Sequence, residues 1–135
     1  MQLTTKTVRL WKNGSVKIPE GFLQRYSGDE QFILWKRSKD PNKYISLIAK
    51  SVKDSIMEKI IEQENPVAFS RSFYANSDKA SIKKGRLYLP KDFIDYIGSS
   101  PGSDVFVMDY VKAINIFDTD RFNFYQNFGQ ALNHS

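Results

Sequence analysis

The sequence predicts an α+β protein with an internal two-fold repeat: two tandem β-hairpin–helix units closing one small β-barrel with helices at its periphery. Three observations predict it. Asn13 to Phe22 reads NGSVKIPEGF and Lys84 to Phe93 reads KGRLYLPKDF, so a glycine, an apolar-polar-apolar alternation, a proline and a phenylalanine recur 71 positions apart. Aligned on Gly14 with Gly85 and on Pro19 with Pro90, both halves follow the order hairpin, short helix, hairpin, longer helix. Hydrophobic residues make up 41% of the 135, with ten Phe and seven Tyr, which supports one sizeable core but not two independent domains. A half of about 65 residues is marginal alone, and closing two halves into one barrel removes exposed sheet edges. The expected division is 1–65 as the first unit, 66–79 as a connector and 80–130 as the second unit.

The elements follow in order. Val8 and Leu10 alternate with polar neighbours, Asn13-Gly14 intervenes, and Val16 and Ile18 resume the alternation, which predicts strand, tight turn, strand with both turn residues favouring positive φ. Pro19 presets a helical φ, so Glu20 to Tyr26 is expected as a short helix with Phe22, Leu23 and Tyr26 inward and Gly28 as its stop. The run FILW (32–35), the polar loop RSKDPNK and the strand Tyr44 to Ala49 predict a second hairpin. Ser51 is expected to cap a helix with Asp54 as capping partner and Val52, Ile56, Ile60 and Ile61 as its apolar stripe, ended before Pro66. The aromatic stretch VAFSRSFYANSDKA is open between helix and extended connector. In the second half, Ile82, a Lys84-Gly85 turn, Leu87 and Leu89 predict another hairpin. Pro90 introduces a helix with Phe93, Ile94 and Ile97 inward and Gly98 at its C′ position. Strands are expected at 105–108 and 113–117, and Asp118 or Thr119 caps a final helix bearing Phe122, Phe124, Tyr125 and Phe128.

Charge is placed unevenly along the chain, whose net charge is +5. Residues 1–18 contain Lys6, Arg9, Lys12 and Lys17 and no acid; residues 70–91 contain Arg71, Lys79, Lys83, Lys84, Arg86 and Lys91 against Asp78 alone. Each basic stretch includes one copy of the repeat, which favours a polyanionic partner. With no cysteine there are no disulfides, thiolate metal sites or thiol nucleophiles. The single His134 and the absence of GxSxG, P-loop and dinucleotide fingerprints argue against an enzyme. Cofactors and metals are not expected. No apolar run reaches the length of a membrane span and Met1 to Gly14 lacks the apolar block of a secretory signal, so the expectation is a cytoplasmic, nucleoid-associated protein with no membrane partner.

KGRLYLPKDFIDYIG resembles the GR-x-x-x-P-x-x-h-R-x-x-h-G pattern of the SpoVT/AbrB class of swapped-hairpin transcription factors. The doubled motif, the intervening RSFYAN and the ending VFVMDYVKAINIFDTDRFNFYQ are similar to MraZ, the tandem-repeat family of that class. The resemblance covers nearly the whole chain in layout. It implies sequence-specific binding of double-stranded DNA, a barrel made from two units, homo-oligomeric ring assembly and transcriptional regulation. The chain departs from the pattern where the family places Asp three residues before the glycine, here Trp11 and Ile82, and where Arg follows the first glycine, here Ser15.

On a hairpin with Val8, Leu10, Val16 and Ile18 buried, the opposite face presents Arg9, Trp11, Ser15 and Lys17, with Lys12 and Asn13 at the tip. A two-stranded ribbon of this kind fits the major groove, where Arg or Lys reads guanine and Asn reads adenine while other lysines hold phosphates. The expected DNA-binding residues are therefore Lys6, Arg9, Lys12, Asn13, Lys17, Lys83, Lys84 and Arg86. Simpler roles stand beside these: Lys83 and Lys84 as solvated charges, Arg86 paired with Asp92, Trp11 in a subunit contact. Two alternative functions use the same scaffold, an assembly protein that has lost DNA readout and an antitoxin-like member that also binds a protein partner.

Overall fold

The computed structural model describes residues 4–24, 31–39, 42–61, 66–110 and 112–119. Tyr26, Gly28, the Asp40-Pro41 turn, the side chains of Ile60 and Ile61, His134 and the expected last helix lie outside the described residues. Strands are β1 (Thr4–Arg9), β2 (Ser15–Lys17), β3 (Phe32–Lys39), β4 (Asn42–Ala49), β5 (Ser77–Lys79), β6 (Ser81–Lys83), β7 (Arg86–Tyr88), β8 (Asp104–Asp109) and β9 (Ile114–Asp118). Helices are α1 (Lys50–Ile61), α2 (Pro66–Ala75) and α3 (Lys91–Ile97), and Glu20–Phe22 is a single 3-10 turn. The class is α+β, as expected.

The strands form two antiparallel sheets. One has six strands in the order β1-β8-β9-β4-β3-β5, the other three in the order β2-β7-β6. They do not close into one barrel among the described residues. Register shows where the two-fold lies. Val16 faces Leu87 and Ile45 faces Ile116, and in each pair the partners are equivalent positions of the two halves. Ile18 N–H donates to the Gly85 carbonyl at 2.9 Å and Leu89 N–H donates to the Gly14 carbonyl at 2.8 Å, one bond repeated by the symmetry. The six-stranded order is a palindrome in which the halves exchange strands: β1 joins the β8-β9 hairpin and β5 joins β3-β4.

That exchange corrects the first expected hairpin. The two runs around Asn13-Gly14 enter different sheets, because Thr4 to Arg9 pairs along its whole length with Asp104 to Asp109 while Ser15 to Lys17 pairs with β7. The second hairpin is longer than expected: pairing runs from Phe32 opposite Ala49 to Lys39 opposite Asn42, so most of the polar RSKDPNK stretch is strand. Alternating Lys36, Arg37 and Ser38 do not prevent strand when the register is fixed by Leu34, Ile45 and Leu47, all fully buried.

Between the two sheets lies one core, formed by Leu10, Val16, Ile18, Leu34, Ile45, Leu47, Leu87, Val105, Val107, Ile114 and Ile116, each at most 1% exposed, and closed by Phe22, Phe93 and Ile97. Burying such a side chain contributes roughly 1.5–3 kcal/mol. Pro19 and Pro90 sit one residue before their helical turns, their carbonyls accepting from the Phe22 and Phe93 N–H groups at 2.9 and 3.0 Å. The first turn stops after three residues where a helix to Tyr26 was expected. Gly21 occupies its middle, whereas Asp92 holds the same place in α3, and glycine costs about 1 kcal/mol in a helix. Gly98 ends α3 at φ 77°, as expected, with Ser99 N–H reaching back to the Ile94 carbonyl.

Helix α1 begins at Lys50, so Ser51 lies inside it instead of capping it with Asp54. The ambiguous aromatic stretch is helical as far as Ala75 and extended at its end, where Ser77–Lys79 is β5: Pro66 opens α2, and Phe73 is buried with its ring 4.8 Å from that of Trp35. Among the described residues no helix is long and apolar enough to cross a membrane.

Candidate nucleic-acid interface

The three-stranded sheet has an apolar and a polar side because strand side chains alternate. Val16 and Leu87 point into the core; Ser15, Lys17, Arg86 and Tyr88 share the opposite face, with Lys83 beside Arg86 in the register. Of these, Lys17 and Lys83 are exposed, Arg86 and Tyr88 half-buried and Ser15 fully buried. The expected display of Ser15 is thus corrected: an interior seryl group is far smaller than an arginine, and it sits beneath the side chain of Arg86.

The two turns that flank this face differ. The second is a two-residue turn in which Lys84 and Gly85 both have positive φ, 53° and 76°, matching the right-handed strand twist. At the first, Trp11 N–H donates to the Ser15 carbonyl at 2.9 Å and Gly14 N–H to the Trp11 carbonyl at 3.0 Å, giving a three-residue loop in which only Gly14 has positive φ, 81°. The expectation of two left-handed residues at Asn13-Gly14 is corrected accordingly. Asn13 is not in the positive-φ region, and its Oδ1 accepts from both the Ser15 N–H, at 3.1 Å, and the Ser15 hydroxyl, at 2.6 Å, a local bond pattern that holds the loop. Bidentate reading of adenine needs both ends of the amide, so Asn13 has to release these bonds to do it.

Arg86 closes the arrangement across the pseudo-two-fold. Its Nε donates to Ser15 Oγ at 3.0 Å, a terminal nitrogen donates to the Ser15 carbonyl at 3.2 Å, and its guanidinium carbon lies 3.3 Å from the centre of the Trp11 ring. Arg86, Ser15 and Asn13 therefore form one chain of hydrogen bonds from the second half into the first tip. The alternative pairing of Arg86 with Asp92 does not occur. Lys36 Nζ takes Asp92 at 2.8 Å, and the hydrogen bond holds that carboxyl below its ordinary value. Trp11 is half exposed, at 51%, with the Arg86 guanidinium over its ring.

Around this chain stand four exposed lysines. Lys12 is on the first turn; Lys83 and Lys84 are at the second; Lys17 reaches the second turn, its Nζ 3.5 Å from the Lys84 carbonyl. Residues 10–19 and 80–91 contain no Asp or Glu, and among the described residues none of these lysines, nor Arg86, has an ion-pair partner. Lys6 and Arg9 are placed elsewhere, on edge strand β1 of the larger sheet. Lys6 faces Val107 in the register, and Arg9 faces Asp104, with Nε 3.6 Å from its carboxylate. Lysine on an edge strand also discourages edge-to-edge pairing.

One member of the face and one contact on it were not foreseen. Tyr88 was readable from its alternation with Leu87 and Leu89; the Trp11–Arg86 stack had no sequence signal, since its residues meet only through the exchange of halves. No protein-family model matches the chain, and no curated protein matches it.

Proposed function

We propose that the chain is an oligomeric, cytoplasmic DNA-binding transcriptional regulator built from two tandem swapped-hairpin units of the SpoVT/AbrB type. It grips duplex DNA with the polar face of β2-β7-β6. The observation that carries this reading is the acid-free face on the pseudo-two-fold, with four lysines free of carboxylate partners among the described residues. Cations left unneutralised within one protein are suited to phosphates, and a two-fold arrangement of tips suits the near-symmetry of duplex backbones. Strand exchange between the halves supports the swapped-hairpin reading. One face spans only a few base pairs, so specificity arises from several copies on repeated short sites.

Four phosphate contacts give a log–log salt slope of roughly −3.6, which weakens binding about 100-fold between 50 and 200 mM salt. A titration of a duplex library by fluorescence anisotropy at both concentrations measures this. Salt-insensitive affinity, or no binding at the lower salt, removes the reading.

A second reading, an interaction or antitoxin-like protein on this scaffold, draws on Trp11, Val67, Phe69 and Tyr74, large apolar side chains that stay exposed. It prevails if Lys83→Glu with Lys84→Glu leaves duplex binding unchanged while a stoichiometric protein partner co-purifies.

A further inference from the structure

A second region of the molecule collects cations around an apolar hollow. The face of β3-β4 turned away from the core carries Trp35, Arg37 and Ile48, and α1 crosses over it. Between them opens a cavity of about 390 Å³ whose floor is Ile48, 2% exposed, and whose walls include Val52 and Ile56 of the helix. Its lining includes three cationic residues: Arg37 from the strand, Lys59 from the end of α1, and Lys112 from the β8–β9 connection. No described carboxylate lines it, and none of the three has an ion-pair partner among the described residues. Arg37 is held by rings instead, its guanidinium 4.4 Å from the Trp35 ring centre and 5.8 Å from that of Tyr44. Ser51 and Ser55 add hydroxyls to the lining.

We propose that this cavity binds an amphipathic carboxylate, its chain on Trp35, Ile48, Val52 and Ile56 and its acid group among Arg37, Lys59 and Lys112. The proposal is independent of the nucleic-acid reading. Its chemistry follows from the division of the lining. A preformed apolar hollow of this size takes a ligand of roughly ten to fifteen heavy atoms, and lining cations without a lining carboxylate among the described residues select a negative head over a neutral one. A fully polar anion such as phosphate leaves the apolar floor uncovered, and a plain hydrocarbon leaves the cations unused.

Decanoate, decanol and inorganic phosphate serve as probes of the full chain, with calorimetry for affinity and methyl shifts of Ile48 and Ile56 for location. Expected is one decanoate in this hollow, bound about tenfold more tightly than decanol, with shifts at both isoleucines and no phosphate-induced shift at either at equal concentration. Lys59→Gln with Lys112→Gln removes that tenfold preference and leaves decanol unaffected; Ile56→Trp fills the hollow and weakens both. Decanoate and decanol binding equally, decanoate unaffected by the lysine changes, phosphate shifting Ile48 and Ile56 as decanoate does, or shifts confined to other regions would each overturn the proposal. The methyl shifts in the unaltered chain keep the test decisive if Ile56→Trp does not fold.

Discussion

The two tips of the small sheet start from one plan and end as opposites. From the glycine onward they align residue for residue, yet the first has a three-residue loop with Ser15 beneath it and the second a two-residue loop with Arg86 above it. Ser15 and Arg86 are equivalent positions, and the symmetry brings them together. Two arginines there would place one guanidinium against another in a half-buried site. Serine with arginine makes donor and acceptor instead, so the duplicated positions have become complementary. The cost falls on charge: three of the four free lysines gather at the second tip. The second tip therefore carries the denser positive charge, and the first is a platform whose loop is braced from the other half.

The severest way to break this comparison is to restore the symmetry. Ser15→Arg puts a second cation under Arg86 and is expected to cost about 3–5 kcal/mol, the range for an uncompensated buried charge. Adding Arg86→Ser exchanges the roles and recovers a large part of the loss. Urea unfolding of the two variants and of Arg86→Ser alone measures the coupling. Recovery absent in the double variant would mean that Ser15 and Arg86 are not partners.

The glycines sharpen the contrast at the next scale down. A Cβ at Gly14 comes within 3.1 Å of the Leu89 carbonyl, which is backbone, whereas one at Gly85 comes within 2.9 Å of Lys17 Nζ, the end of a flexible chain. Both carry the positive-φ cost of roughly 1–2 kcal/mol. Gly14→Ala is expected to reach about 2–3 kcal/mol because the Leu89 backbone, itself bonded to the Gly14 carbonyl, cannot yield, and Gly85→Ala to stay near 1 kcal/mol. Thermal unfolding shows which is larger, and equal losses would make the tips mechanically alike.

On the proposed nucleic-acid reading, charge separates the tips in binding. Replacing Lys83 and Lys84 by Gln lowers the magnitude of the salt slope for duplex DNA by about two, and Lys12→Gln by at most about one. A larger effect at Lys12 would move the anchor to the first tip.

How legible all this was in the sequence depends on the range of the interaction. Gly85, Leu87, Pro90 and the α3 face of Phe93, Ile94 and Ile97 were readable because glycine turns and apolar periodicity are local, and each is found as the pattern requires. The exchange of β1 into the β8-β9 hairpin was not, since nothing in Thr4 to Arg9 distinguishes Asp104 to Asp109 as a partner from the nearer Ser15 to Lys17. The polar stretch RSKDPNK (37–43) misled for the same reason: the strand register of its described residues is imposed by neighbours remote in sequence. Within the candidate site the lysines were readable from their clustering. The burial of Ser15 and the stack of Arg86 on Trp11 needed the pseudo-two-fold.

The smallest expected effect tests whether the halves are also tied asymmetrically outside the tips. Lys36 of the first half holds Asp92 of the second at 2.8 Å; the equivalent positions are Val107 and Gly21, so this bond has no symmetry mate. The hydrogen bond and charge of Lys36 lower the Asp92 pKa, and a carboxyl with a depressed folded value contributes stability that is full above its ordinary value of 3.8 and lost as pH falls through the folded value. Because the Asp92 side chain is 64% exposed, solvent screening limits the contribution to a few tenths of a kcal/mol. Lys36→Gln is expected to lower stability by about 0.5 kcal/mol at neutral pH, with the difference from the unaltered chain fading as Asp92 protonates. Asp92→Asn gives the same fading and a slightly larger neutral-pH loss, since it also removes a negative charge from the first turn of α3. Urea unfolding across the acid range measures both. A difference that persists at full protonation would show that Lys36 acts through its packing over the Phe93 ring, 4.9 Å away, and not through Asp92.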